Sequence, residues 1–424
     1  MDKKRQADSK RSRPYPAARV SEKAEESIRK GHPWIYDTEI ISPDRTFVNG
    51  QLADVLSKKG RYLGTGFFNN HSKIRIRLIS GNANDRFDEA FYERRLRYAV
   101  DYRRTVMGGD FKCCRLIFGE SDQFPGFIVD RFENIIVAQT LSLGIELIKP
   151  MLFRLLIKIL RETGENIDAV YERNDVPVRE LEGLEQKSGF FSDERDTALG
   201  ADLTGVTQIT ENGILFNVDY ARGQKTGFFL DQKYNRQAVA RLSQGKRVLD
   251  CFTHTGAFAL NAAKAGAEFV SALDISEDAI RMAKDNAALN DMSDKIVFDT
   301  VNVFDYLTEL AGNESAKKNA NFDFMILDPP AFTKNRISLP NAIRGYKEIN
   351  LKAMKILPRG GYLATCSCSH FMTAALFGKM LSDAAMDASV SLRQIEVRQQ
   401  SPDHPVLWSM PETDYLQFYI FQIV

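Results

Sequence analysis

Cysteine is scarce in this chain, with five in 424 residues, at Cys113, Cys114, Cys251, Cys366 and Cys368. So sparse and odd a set excludes a disulfide-stapled secreted scaffold and fits a reducing, cytoplasmic compartment. Zinc-type spacing is missing too. Cys366, Cys368 and His370 stand too close in sequence to act as separate arms of a tetrahedral site, so no metal is expected. No run of about 18 apolar residues occurs, so no membrane-spanning helix is expected. The stretch from Met1 to Arg13 lacks the apolar segment of a secretory signal. Net charge is nearly absent, at +1 from 57 basic and 56 acidic residues. The molecule as a whole is no polycation, and a nucleic-acid surface must be a local patch. The glycine-bearing loop Cys251–Gly256 matches neither a dinucleotide fingerprint nor a P-loop, which disfavours NAD and ATP.

What is present reads as four segments. Residues 1–15 form a basic arm in which Pro14 opposes helix formation. Residues 16–82 show short alternating runs punctuated by glycine, the pattern of a small β-rich domain. Within it, no Asp or Glu occurs from Val55 to Ser80, whereas Lys58, Lys59, Arg61, Lys73, Arg75 and Arg77 do, with Tyr62, Phe67 and Phe68 among them. Cations that pair phosphates beside rings that stack on bases suggest an RNA surface. A solvated sheet face over an ordinary core is the alternative. Residues 83–205 open with a helix and continue strand, strand, helix, strand, a central α+β unit. From 206 to 424, strands alternate with helices. That alternation predicts a doubly wound, Rossmann-like α/β sheet with ligands at the carboxyl ends of its strands.

The chemistry-bearing residues fall at those ends. The first strand ends at Asp250, and its loop carries Phe252, Thr255 and Gly256; the glycine is expected to let a cofactor approach closely. The second ends at Asp274 and Ile275, where a carboxylate suits the hydroxyls of a ribose. After the third come Asn302 and Val303, a polar and an apolar group suited to an adenine, or simply a helix cap. The fourth runs into Asp328-Pro329-Pro330-Ala331-Phe332, with Lys334 beyond. Two prolines make that turn rigid and leave its carbonyls and carboxylate free to grip a base edge. The fifth ends in Thr365-Cys366-Ser367-Cys368-Ser369-His370, and hydroxyls and a His around a thiol are expected to favour the nucleophilic thiolate.

Three stretches, Gly223 to Gln232, Leu327 to Phe332 and Thr365 to His370, together with Gly31-His32-Pro33-Trp34-Ile35-Tyr36, resemble the ribosomal large-subunit RNA cytosine-C5 methyltransferase family. The resemblance covers nearly the whole chain after the basic arm. It implies a PUA domain at 16–82, a central α+β domain and a class I methyltransferase domain that uses S-adenosylmethionine. It also implies 5-methylcytosine formation in large-subunit (23S) ribosomal RNA, a cytoplasmic setting and a possible homodimer. Cys366 takes the place of the family's nucleophile, and Asp328 that of the group on the cytosine edge. Asp250, Phe252, Thr255, Gly256, Asp274, Ile275, Asn302, Val303 and Asp328 are expected around the cofactor. Pro329, Pro330, Phe332 and Lys334 are expected at the target base, and the six basic residues of the 58–77 stretch on the RNA. The sequence departs from relatives' patterns at Ala331, where some RNA cytosine-C5 enzymes carry a second Cys, and at Asn302, where Asp is common. Cys368 and His370 are then the candidates to assist proton removal. Two alternatives remain: methylation of a base nitrogen by the Asp-Pro-Pro turn alone, or a non-catalytic ribosome-assembly factor.

Overall fold

The computed structural model describes residues 13–43, 47–192, 203–333 and 335–424. Most of the basic arm, and Lys334, lie outside the described residues. No helix among those described is long and apolar enough to cross a membrane.

The N-terminal unit is a six-stranded sheet, from Ala17–Val20 to Ile74–Ser80, around a small core that includes Val20, Ile35, Val55 and Ile76. It also holds a helix, Glu22–Arg29, that the glycine-punctuated pattern conceals. Ser21 caps it by accepting from Ala24 N–H at 3.2 Å.

The central unit has five strands rather than the three read from sequence. Cys113–Phe118 and Lys187–Phe190 flank the three expected ones, and the long helices Glu89–Met107 and Leu143–Glu162 complete it. Side chains alternate across the sheet. Cys114, Ile136, Ala138 and Val170 therefore face the two helices. Cys113, Ile135, Val137 and Ala169 face the other way, into the core that also holds Val248 and Phe418 of the C-terminal sheet and Phe258 of the helix Ala257–Lys264. The C-terminal domain thus buries one face of the central sheet, and the two units share a core.

After the hairpin Val206–Glu211 and Ile214–Asp219 comes the seven-stranded C-terminal sheet. Its strands are β1 (Arg247–Cys251), β2 (Phe269–Asp274), β3 (Ile296–Thr300), β4 (Phe324–Leu327), β5 (Tyr362–Ser367), β6 (Leu392–Arg398) and β7 (Gln417–Ile423). Their spatial order is β3-β2-β1-β4-β5-β7-β6, with only the last two antiparallel to their neighbours. Phe324, Met325, Ile326 and Leu327 are all buried, as a central parallel strand covered by helices on both faces requires. The strand order reverses between β1 and β4, and the crevice at that switch point is where open α/β sheets bind ligands.

Candidate active site

Register brings the two principal residues together. Parallel pairing sets Leu327 opposite Thr365, so the next residue on each strand, Asp328 and Cys366, lies side by side. The thiol of Cys366 donates to Asp328 Oδ1 at 2.9 Å. Gln232 Nε2 donates to the same oxygen at 3.1 Å and to Cys366 Sγ at 3.4 Å. Burial pushes the Cys366 thiol well above its ordinary range, and the Asp328 carboxylate pushes it further. Burial likewise raises Asp328, more than its hydrogen bonds from Cys366 and Gln232 lower it. The expected thiolate-favouring setting is therefore corrected: burial and the neighbouring Asp328 carboxylate both favour the protonated thiol, which donates its hydrogen bond to that carboxylate.

In front of this pair lies a cavity of about 610 Å³. Phe252, Asp274, Ile275, Asn302, Val303, Asp328, Pro329, Pro330 and Phe332 all line it, as the sequence suggests. Asp274 is fixed by two backbone donors, His254 N–H at 2.9 Å and Ser276 N–H at 3.0 Å. Asn302 Oδ1 caps the helix Val303–Gly312 through Phe304 N–H at 2.9 Å, so the cap reading holds while the side chain still reaches the cavity. The Phe332 ring packs between Phe304 and Tyr346, at centroid distances of 5.7 and 4.5 Å.

Four expected site residues stand behind the wall instead: Asp250, Thr255, Gly256 and Cys366 are not among the lining residues. Asp250 holds the loop from beneath, accepting from Thr253 Oγ1 at 2.6 Å and from Ala259 N–H at 3.0 Å. Burial raises its carboxyl to about 7. Gly256 is corrected in role. Its φ is +83°, and a Cβ there would lie 3.1 Å from Ala283 Cβ, so the glycine serves a left-handed turn and close helix packing rather than cofactor approach.

Sequence reasoning assigned no role to Gln224, Lys225, Phe229, Asp231, Gln232, His254, Phe304 or Leu416, which also line the cavity. The signal was the stretch Gly223 to Gln232, where a lysine and an aspartate flank two aromatics. Asp231 Oδ2 accepts from the Tyr415 hydroxyl at 2.6 Å, while Oδ1 is buried without a partner. Burial pushes Asp231 up, but Lys225, His404 and the Tyr415 hydrogen bond outweigh it, and the carboxylate stays low and charged. Lys225, Phe252 and His254 all have positive φ, at 52°, 65° and 51°. Side-chain-bearing residues adopt that backbone at a cost of about 1–3 kcal/mol, and such strain gathers at functional sites. Of the two thiol and imidazole candidates for proton removal, Cys368 lines the cavity and His370 does not. Burial raises Cys368 to about 12.

The proposed RNA stretch divides. Lys58, Lys59, Arg61 and Lys73 are exposed. Carboxylates from elsewhere in the chain answer several of the cations: Glu25 holds Arg61, and Glu22 lies 3.9 Å from Lys58. Arg75 is turned onto the Asn70 side chain at 2.7 Å, and Asp37 lies 4.0 Å away. Arg77 is corrected outright. It lies between Glu182 at 2.8 Å and Glu120 at 3.3 Å, under the Trp34 ring, and joins the N-terminal unit to the central one. The aromatics are corrected as well. Phe67 and Phe68 are buried in cores, and Tyr62 is covered by Arg13, whose guanidinium lies 4.8 Å from the ring centroid.

Comparison with known proteins gives two family matches: a PUA-like domain over residues 18–81 and an S-adenosylmethionine-dependent methyltransferase over 189–416. A protein of Klebsiella pneumoniae (strain 342) called ribosomal RNA large subunit methyltransferase I is 36% identical over 412 residues, covering 97% of this chain and 99% of its own. Its namesake in Aliivibrio fischeri (strain ATCC 700601 / ES114) is 37% identical over 403 residues, covering 94% and 97%. Among solved structures, a putative S-adenosylmethionine-dependent methyltransferase from Streptococcus mutans superposes with a TM-score of 0.78 at 20% identity, over 96% of this chain and 99% of that one. A putative methyltransferase complexed with SAH gives 0.80 at 20% identity, with the same coverage. These last two likenesses bear on the fold.

Proposed function

The chain belongs to the S-adenosylmethionine-dependent methyltransferase family of the relatives called ribosomal RNA large subunit methyltransferase I, and from that premise we propose that it methylates C5 of a cytosine in large-subunit ribosomal RNA. The observation that carries the position of methylation is the Cys366–Asp328 hydrogen bond of 2.9 Å behind a rigid Pro-Pro turn.

The cavity suits S-adenosylmethionine by its donor set. In this reading Asp274 takes the ribose hydroxyls, and Ile275, Asn302 and Val303 surround the adenine, since all four line the cavity. Lys225 and the unpartnered Oδ1 of Asp231 match the carboxylate and ammonium of the methionyl end. Once bound, the cofactor supplies an electrophilic methyl group on a sulfonium. Asp250, Thr255 and Gly256 act beneath, by holding the loop.

Cytosine C5 is too weak a nucleophile to take that methyl unaided. Asp328 takes the Cys366 proton and passes it to cytosine N3. Cys366 Sγ then bonds to C6, the C5=C6 electrons shift to C4=C5, and the C4=N3 pair moves onto the protonated N3, which makes C5 enamine-like. C5 takes the methyl. Water takes the C5 proton, the electrons of that C–H bond restore C5=C6, and the S–C6 bond breaks with its electron pair returning to Sγ. The N3 proton returns through Asp328 to the departing thiolate. The raised affinity of Asp328 for a proton is what this relay needs, since a carboxyl matched to its task transfers protons most effectively. Pro329, Pro330 and Phe332 border the base. Lys58, Lys59 and Lys73, all exposed, are the candidates for the backbone phosphates.

A second reading rests on the complete burial of Cys366, which sits behind the cavity wall. Under it, the Asp-Pro-Pro turn alone presents a base nitrogen to the methyl donor. One experiment separates the readings. Undermodified large-subunit RNA is incubated with methyl-labelled S-adenosylmethionine and either wild type or Cys366→Ala, and labelled nucleosides are identified by mass. We expect 5-methylcytidine from wild type and none from the variant. A methylated nitrogen from both would replace the C5 reading, and tight cofactor binding without turnover on any RNA would point to an assembly factor.

A further inference from the structure

Among the described residues, the central domain carries none of the cavity wall, yet two of its buried side chains reach the loop that does. Thr226 Oγ1 donates to Asp130 Oδ2 at 2.6 Å, and both residues are buried. Arg115 fixes that carboxylate with two further bonds, at 2.7 and 2.9 Å. Three residues earlier in the same loop, Arg173 Nη1 donates to the carbonyls of Gly223 at 2.8 Å and of Tyr220 at 3.0 Å. Asp130 lies on the strand Phe127–Phe132 and Arg173 on Ala169–Asn174, both in the central sheet.

The loop between these braces is tightly wound. A Cβ at Gly223 would lie 2.4 Å from the Asp219 carbonyl, and Gly227 has φ +114° with its own Cβ position 2.9 Å from the same oxygen. The two residues that lie between the braced points, Gln224 and Lys225, are the two that line the cavity there. Lys225 holds a positive φ of 52°, a backbone state that persists only where surroundings enforce it.

We propose that Asp130 and Arg173 are positioning residues for the cofactor. They hold the loop so that Lys225 meets the carboxylate of the methionyl end, and the central domain thereby supports the cofactor site from behind its wall. This rests on reading the cavity as the S-adenosylmethionine site. The brace acts on the amino-acid end of the ligand and leaves the nucleoside end, around Asp274, untouched. A purely structural role would not make that distinction.

The test uses the full chain and two ligands, S-adenosylhomocysteine and 5′-methylthioadenosine, the second of which lacks the amino-acid end. Thr226→Val keeps the shape and removes the hydroxyl, leaving Asp130 paired with Arg115. Affinity for S-adenosylhomocysteine should fall about tenfold, as for a lost hydrogen bond to a charged group, with 5′-methylthioadenosine within about twofold. Thr226→Ser should restore binding. Arg173→Lys provides a second, independent break should Thr226→Val fold poorly, with the same expected selectivity. Unchanged S-adenosylhomocysteine binding in both variants, or equal loss of both ligands, would overturn the brace. Asp274→Ala is run alongside: if it binds both ligands like wild type, the cavity reading itself has failed, whatever the loop variants do.

Discussion

The Cys366 thiol and the Asp328 carboxylate sit 2.9 Å apart because β4 and β5 are in parallel register, and burial raises the proton affinity of both. In the proposed mechanism, the proton held between these two groups lets the carboxyl act as a relay. Asp328→Asn preserves shape and the hydrogen bond from Gln232 but cannot carry the proton. Its kcat should fall about 10²–10⁴-fold, the usual worth of a positioned acid–base group. Affinity for S-adenosylhomocysteine should stay within about twofold. Single-turnover methylation beside equilibrium binding measures the split, and wild-type turnover in Asp328→Asn would remove the relay from the mechanism.

Asp250 makes folding stability pH-dependent. Burial raises its carboxyl to about 7 in the folded chain against 3.8 for a free carboxyl, although Thr253 and Ala259 donate to it. The native state therefore holds a proton that the unfolded chain releases across that window. The stabilisation is complete below about pH 3.8 and is lost as pH rises through about 7, at up to about 1.4 kcal/mol per pH unit. In Asp250→Asn the amide oxygen still accepts both bonds and nothing titrates. The difference in Tm, wild type minus variant, should shrink steadily from pH 4.5 to pH 8. A difference that is flat with pH, or that grows, would show the group ionised throughout.

The alternation of strands and helices from residue 206 onward and the polar residues at strand ends were legible because parallel strands buried on both faces leave apolar runs that stop abruptly. Asp274, Asn302 and the Asp-Pro-Pro turn were found that way. Depth was not legible. Asp250, Gly256 and Cys366 stand at strand ends like the others, but sequence position does not say whether a side chain meets the cavity or the packing beneath it. Nor was cross-chain pairing. The gap in acidic residues from Val55 to Ser80 looked like an uncompensated basic face, yet Glu25, Glu120 and Glu182 arrive from other elements to answer it. The loop residues Gln224 and Lys225 were missed because the central strands, far off in sequence, hold them in place.

Gly256 tests that distinction of depth. Gly256→Ala must hold φ +83° and bring a Cβ to 3.1 Å from Ala283 Cβ. A residue forced into such a state costs about 1–3 kcal/mol, so Tm should drop in thermal melts. The folded variant should bind S-adenosylhomocysteine within about threefold of wild type, because residue 256 is not in the cavity wall. Wild-type Tm with affinity lowered more than tenfold would return the glycine to the ligand.

Arg77 separates clamp from RNA contact. Its side chain is 12% exposed, against 3% for Glu182 and 13% for Glu120. Removing one partner of such a pair strands the other, at about 3–5 kcal/mol. Arg77→Met should therefore destabilise the chain strongly in denaturant melts, and Arg77→Met combined with Glu182→Gln should cost less than the two single losses added together. Lys59→Ala and Lys73→Ala should behave in the opposite way, since both lysines are exposed. Stability should hold within about 0.5 kcal/mol. The slope of log affinity for RNA against log salt should become shallower by about 0.7–0.9 for each phosphate left unpaired. A clamp changes melts and leaves that slope alone, while a phosphate-pairing lysine changes the slope and leaves the melts alone. If Arg77→Met flattened the salt dependence at wild-type stability, the arginine would belong to the RNA surface after all.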